Sequence, residues 1–147
     1  VNCATSPRSR RSCTRREEGA MSEERDRALI EQFIAAYNGF DIEDMVARVA
    51  PGIRFENYSG GRLTDSVCGV DAFRALAERS RSLFSEREQR VRTLERCGDS
   101  YRVSIDYVGR LAVDVPDGPP AGTVIEIRGS SEYLLEDGKI AKLVDRS

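Results

Sequence analysis

A chain of 147 residues can form one domain with a buried core, and this one contains no histidine. That excludes Ser-His-Asp and Cys-His catalysis and the usual histidine metal sites. Of 23 basic and 25 acidic residues, five arginines and two glutamates fall in residues 1–20, which leaves 18 and 23 and a body of about −5. An acidic body argues against nucleic acid as the main partner.

Residues 1–21 are poor in apolar side chains and lack the apolar centre of a signal peptide. They read as a disordered basic extension, with residues 22–147 as the folded domain. No apolar run approaches a membrane span, so no membrane partner and a cytoplasmic location are expected. Cys3 and Cys13 lie in the extension, Cys68 and Cys97 in the domain. No CxxC or Cys/His spacing occurs, so reduced thiols are expected, with no metal site and no cofactor.

Ser22 before Glu23 and Glu24 predicts a helix cap. Leu29, Ile30, Phe33, Ile34 and Tyr37 then make one apolar stripe, giving a helix over about 23–38 that stops at Asn38-Gly39. Asp41 caps a short second helix with Met45, Val46 and Val49 inward, and Pro51-Gly52 stops it. Ile53, Phe55 and Asn57 alternate with polar neighbours in a first strand, broken at Ser59-Gly60-Gly61. After Gly69, the residues Phe73, Leu76, Ala77, Leu83 and Phe84 predict a third helix. Residues 89–97 form a weaker strand.

From Tyr101 to Val115 the odd positions are Tyr, Val, Ile, Tyr, Gly, Leu, Val and Val, a strand with one buried face. Strands over about 123–135 and 139–145 follow, with PDGPPAG at 116–122 as a loop. Helices followed by long antiparallel strands predict an α+β fold, with the helices against one face of a curved sheet.

Register decides which polar residues face inward. In the first hairpin like faces must align. Setting Arg110 against Glu126, Asp106 against Ser130 and Ile105 against Ser131 is preferred to setting Arg110 against Arg128. At Glu136-Asp137-Gly138 a two-residue loop would turn Ile140, Lys142 and Val144 inward. A three-residue loop with Gly138 left-handed turns Ala141, Leu143 and Asp145 inward. Burying Lys142 is costly, so the three-residue loop is expected.

The inner face then carries Asn57, Tyr101, Tyr107, Ser131, Tyr133 and one carboxylate, Asp145. Burial would raise the pKa of Asp145 and suit it to act as a base; the competing reading is a satisfied acid at a fraying strand end. Asp106 and Arg110 fall on the outer face. That face (Arg102, Val108, Arg110, Ala112, Val124, Glu126, Arg128, Leu134) mixes charge and apolar groups and would suit a homodimer.

The order IEQFIAAYNGFDIEDMVARVAPGIRFEN, GVDAFRAL, GPPAG and EDGKIAKLVD resembles the nuclear-transport-factor-2-like superfamily, in its SnoaL-like branch, over about residues 22–147. The resemblance implies a cone: a strongly curved antiparallel sheet wrapped around N-terminal helices, with a pocket at the open end. The chain departs from the superfamily's known chemistries. Asn57, Phe33 and Ser131 stand where ketosteroid isomerases carry their base and oxyanion donors. Asp145 matches the last acid of the limonene-epoxide-hydrolase-like Asp-Arg-Asp set, but Ser104 stands in place of its arginine and Asp106 faces outward. Leu111 occupies the inward histidine position of the polyketide cyclases.

The resemblance implies a SnoaL-like isomerase, cyclase or hydrolase acting on a small apolar ligand without a metal. Asp145 is its candidate catalytic base. Asn57, Ser131, Tyr107, Tyr133, Tyr101, Phe33, Phe55, Leu111 and Leu143 are the candidate pocket residues. The alternatives are a non-catalytic binding pocket and a dimerisation or assembly module.

Overall fold

The computed structural model describes residues 16–147, with side chains from Ser22 onward. Helices are α1 (Arg16–Asn38), α2 (Ile42–Ala47) and α3 (Val70–Leu83). Strands are β1 (Val49–Ser59), β2 (Arg62–Cys68), β3 (Phe84–Cys97), β4 (Ser100–Leu111), β5 (Val124–Glu136) and β6 (Lys139–Arg146). They form one six-stranded sheet in the order β2-β1-β6-β5-β4-β3. Neighbours are antiparallel except β1 and β6, which are parallel. This is the expected α+β arrangement, an open curled sheet with helices on its inner face.

The helical stripe and the odd-numbered strand residues explain the packing. Ile30, Phe33 and Ile34 of α1 and Phe73 and Ala77 of α3 meet Val103, Ile105, Tyr133 and Leu143 of the sheet. The Phe33 ring lies 6.3 Å from that of Phe73 and 6.1 Å from that of Tyr133. Each large apolar side chain buried this way contributes about 1.5–3 kcal/mol. Polar ties fix α1 along its length. The Tyr101 hydroxyl donates to Asp26 Oδ2 at 2.8 Å. Asn38 exchanges two hydrogen bonds with the Gln89 backbone, at 3.1 and 2.8 Å. Phe40 then turns at φ 57°, and Asp41 caps α2 by accepting from the Asp44 N–H at 3.0 Å.

Several boundaries differ from the expected ones. Helix α1 starts at Arg16, so Ser22 lies inside it rather than capping it, and residues 16–21 are helical where disorder is expected. The run REEGAMSEER is rich in helix formers, which outweighs the capping signal; residues 1–15 lie outside the described residues. Pro51-Gly52 does not end an element. It sits inside β1, where the register against β6 shifts, a place where a strand tolerates proline. Ser59-Gly60-Gly61 ends β1 as expected, and it does so as a hairpin turn, with Gly60 at φ 58° and Gly61 at φ 77°. Its second arm, β2, is a mostly exposed edge strand whose polar sequence hides it.

Phe84 opens β3 rather than closing α3, so that strand begins earlier than 89. Strand β4 stops at Leu111, not 115: its last ladder partners are Val124 of β5 opposite Arg110 and Phe84 of β3 opposite Leu111, after which the chain enters the loop to β5. Leu134, expected on the wet face, is only 9% exposed. Cys68 is disulfide-bonded, against the expectation of reduced thiols, while Cys97 is free and exposed. Sequence spacing carried no sign of this, since bridging depends on tertiary proximity.

Both hairpin registers are also corrected. β4 and β5 pair two residues away from the expected alignment: Ile105 faces Gly129, Ser131 faces Val103 and Arg110 faces Val124. Charge still decides, but over three strands. Asp106 lies opposite Arg128 at 3.6 Å and also reaches Arg92 of β3 at 3.7 Å, while Arg110 meets Glu86 of β3 at 3.6 Å. The β5–β6 loop has two residues, Asp137 (φ 51°) and Gly138 (φ 74°), with Glu136 opposite Lys139. The pairing then slips at Ala141, between Leu135–Ile140 and Leu134–Lys142. That bulge restores Leu143 and Asp145 to the inner face and leaves Lys142 to reach Glu56 at 3.8 Å.

Gly129 tests this packing. A Cβ there would stand 2.5 Å from the Arg146 carbonyl oxygen, because the end of β6 crosses close over β5. Gly129→Ala is expected to lower stability by about 1–3 kcal/mol, read from the midpoint of urea unfolding.

Candidate active site

The sheet brings three polar side chains into one row. Asp145 of β6 is paired with Asn57 of β1 on one side and with Ser131 of β5 on the other. Matching parity puts all three on the inner face. The Ser131 hydroxyl donates to Asp145 Oδ1 at 2.6 Å, which leaves Oδ2 to take a proton. Asn57 turns its amide away, donating to Thr64 Oγ1 at 2.7 Å.

This row borders a cavity of about 400 Å³ between α1, α3 and the sheet. Its walls are mainly apolar, from Phe33, Met45, Phe55, Phe73, Ile105 and Leu143. Arg146 and Asp65 line it as well. Such a volume with few polar groups suits a small, largely apolar ligand.

The surroundings set the acidity of each group. Burial pushes the Asp145 carboxyl up to about 6, and the hydrogen bond from Ser131 restrains that rise. Burial also raises the Tyr133 phenol well above its ordinary value, and the charge of Asp145 adds to the effect. Tyr37 and Tyr107 line the cavity too, with their hydroxyl oxygens hydrogen-bonded at 3.2 Å. Burial raises both phenols, and the Arg87 guanidinium opposes the rise. Arg87 stacks 3.7 Å from the Tyr37 ring centroid.

Of the residues named from sequence, Asp145, Asn57, Ser131, Tyr107, Tyr133, Phe33, Phe55 and Leu143 line the cavity. Tyr101 and Leu111 do not. Both are buried, Tyr101 in the core with its hydroxyl spent on Asp26, and Leu111 at the far end of β4. Sequence reading missed Tyr37, Gln89, Phe73 and Phe84 as lining residues. A phenol in the last turn of an aliphatic stripe was the available signal for Tyr37. Gln89 and Arg87 share the inner parity of β3, but the shift between Val91 and Thr93 obscures that parity. Among the described residues no three His, Cys, Asp or Glu side chains are grouped to hold a metal ion.

A family model described as a SnoaL-like domain matches residues 30–143, ending just short of Asp145. No curated protein matches the chain. Among solved structures, a Xanthomonas campestris protein provisionally assigned as a polyketide cyclase superposes with a TM-score of 0.72 at 18% identity, over 84% of this chain and 90% of that one. A Catenulispora acidiphila protein with a ketosteroid-isomerase-like fold, in complex with trimethylamine, gives 0.67 at 13% identity, over 80% and 82%. An epoxide hydrolase of Mycobacterium tuberculosis, of the type called LEH-like, gives 0.65 at 14% identity, over 81% and 79%. At these identities the likeness establishes the fold alone.

The raised carboxyl makes a stability prediction. Between the ordinary value of 3.8 and the folded value of about 6, the folded state binds more protons than the unfolded state. Asp145 therefore costs stability as pH rises through that window. Asp145→Asn is expected to raise the unfolding free energy at pH 7.5 by on the order of 1–3 kcal/mol, with the gain vanishing near pH 4. Urea unfolding at the two pH values checks it.

Proposed function

Because the chain belongs to the SnoaL-like domain family, we propose that it is an enzyme of this type, acting on a small hydrophobic molecule by general acid/base chemistry with Asp145 as the base. One observation carries this reading. A buried carboxylate, held through one oxygen by Ser131, borders an apolar cavity with its pKa raised to about 6. A base poised this way is ionised at pH 7 and still basic enough to take a proton from carbon.

The reaction that fits best is proton abstraction beside a carbonyl. The C–H bond breaks as Asp145 Oδ2 forms its O–H bond, and the electron pair passes into the conjugated carbonyl. Returning the proton at a different carbon gives an isomerase. Attack of the carbanion on a second carbonyl carbon gives a cyclase. Epoxide hydrolysis, which needs a second acid at the cavity, fits less well: Asp106 lies on the outer face between Arg92 and Arg128, and the second carboxylate that does line the cavity, Asp65, stands on the edge strand β2 beside the Thr64 hydroxyl. The provisional cyclase assignment of one structural neighbour supports the same preference.

Solvent deuterium exchange into a panel of cyclic and aromatic ketones, followed by mass spectrometry, tests the proposal. The protein is expected to label the carbon next to the carbonyl, and Asp145→Asn to slow labelling by roughly 10²–10⁴-fold. Ketones that bind but never exchange would leave a non-catalytic binder as the function. The rate is expected to fall as pH drops through about 6, where Asp145 takes up its proton. Ser131→Ala removes the hydrogen bond that lowers the Asp145 pKa, so the inflection of its rate profile is expected to move to higher pH.

A further inference from the structure

Arg87 is a cation that the fold buries without a counter-ion. It is 6% exposed. Its Nε donates to the Tyr37 carbonyl at 3.1 Å and its Nη1 to the Ser80 hydroxyl at 3.3 Å, while Nη2 is buried without a partner. Among the described residues no carboxylate lies within ion-pairing distance of it. A buried guanidinium ordinarily requires a paired anion. The partial negative charge at the C-terminus of α1, whose Tyr37 carbonyl it binds, offsets only part of that need.

The phenols beside it line the cavity. Tyr37 and Tyr107 carry two hydroxyl protons, and one of these bridges their oxygens. The Gln89 side chain hydrogen-bonds Tyr37, with its own Oε1 buried without a partner, so with Tyr37 donating to the Tyr107 oxygen the proton left over is that of Tyr107. The charge of Arg87 acts on both phenols. This end of the cavity therefore offers a spare O–H donor backed by a positive charge.

We infer that this end of the cavity binds an anionic oxygen carried on an apolar ring, as in an aryl carboxylate, with the Tyr37–Tyr107 pair donating to it and Arg87 neutralising it. The ring then lies against the aromatic wall of Phe33, Phe55 and Phe73. The charged groups that bear on the anion are Arg87, Arg81 beside it, and Asp145, which acts on Tyr37 from across the cavity. Arg146 and Asp65 also line the cavity. The inference does not require Asp145 to act as a base.

Calorimetric titration with naphthalene-2-carboxylate and its neutral carboxamide tests it. The wild-type protein is expected to bind the carboxylate at least roughly tenfold more tightly than the amide at pH 7.5. Arg87→Met is expected to bring the two affinities together without weakening the amide. Tyr107→Phe, which keeps the buried ring, serves as the second variant and is expected to reduce the preference in the same direction. Lowering the pH to 5.5 protonates Asp145 and is expected to strengthen carboxylate binding in the wild type but not in Asp145→Asn. Equal binding of the two probes, no carboxylate binding, or a preference that survives both Arg87→Met and Tyr107→Phe overturns the inference. Because Asp145→Asn keeps the preference, failure of the base assignment in the exchange assay is distinguishable from failure here.

Discussion

The site depends on where β6 enters the sheet. It runs parallel to β1 and antiparallel to β5, filling the gap between them. No other strand would place a carboxylate beside Asn57 and Ser131 at once. The aromatic contacts among Phe33, Phe73 and Tyr133 then hold α1 and α3 against this part of the sheet. Gly129 permits the close crossing of the β6 end over β5 that completes it.

The interior joins two electrostatic demands that would be costly separately. Asp145 and Arg87 sit in the same cone without touching, and each is held by neutral partners, Ser131 for one and the Tyr37 carbonyl and Ser80 for the other. A direct ion pair would have satisfied both and silenced both. Separation keeps the carboxyl near neutrality in its titration and keeps the guanidinium unneutralised. The apolar core carries the energetic cost, so stability and site chemistry are drawn from the same packing.

Much of this was legible in the sequence because parity is robust. The alternation at 101–111 assigned inner and outer faces correctly, and Asp106 and Arg110 lie outside as expected. Register was less legible. The choice for β4 and β5 weighed only two strands, while the charges of β3 also take part. The β2 edge strand was invisible because exposed strands need no apolar pattern. Tyr37 and Arg87 escaped notice for a different reason. Their roles arise from a helix end meeting a strand fifty residues away, and neither local periodicity nor charge pairing encodes such a meeting.

The two-residue turn at Asp137-Gly138 and the bulge at Ala141 are two errors in counting that cancel. Either one alone would point Lys142 rather than Asp145 into the cone. Which side chain of β6 faces the cavity is therefore protected by an arithmetic of even and odd, not by the local sequence around Asp145. Loss or gain of one residue anywhere between the turn and Asp145 would turn the site inside out while leaving nearly every residue in place. Drift in this hairpin can only proceed in compensating pairs, so its length is more constrained than its composition.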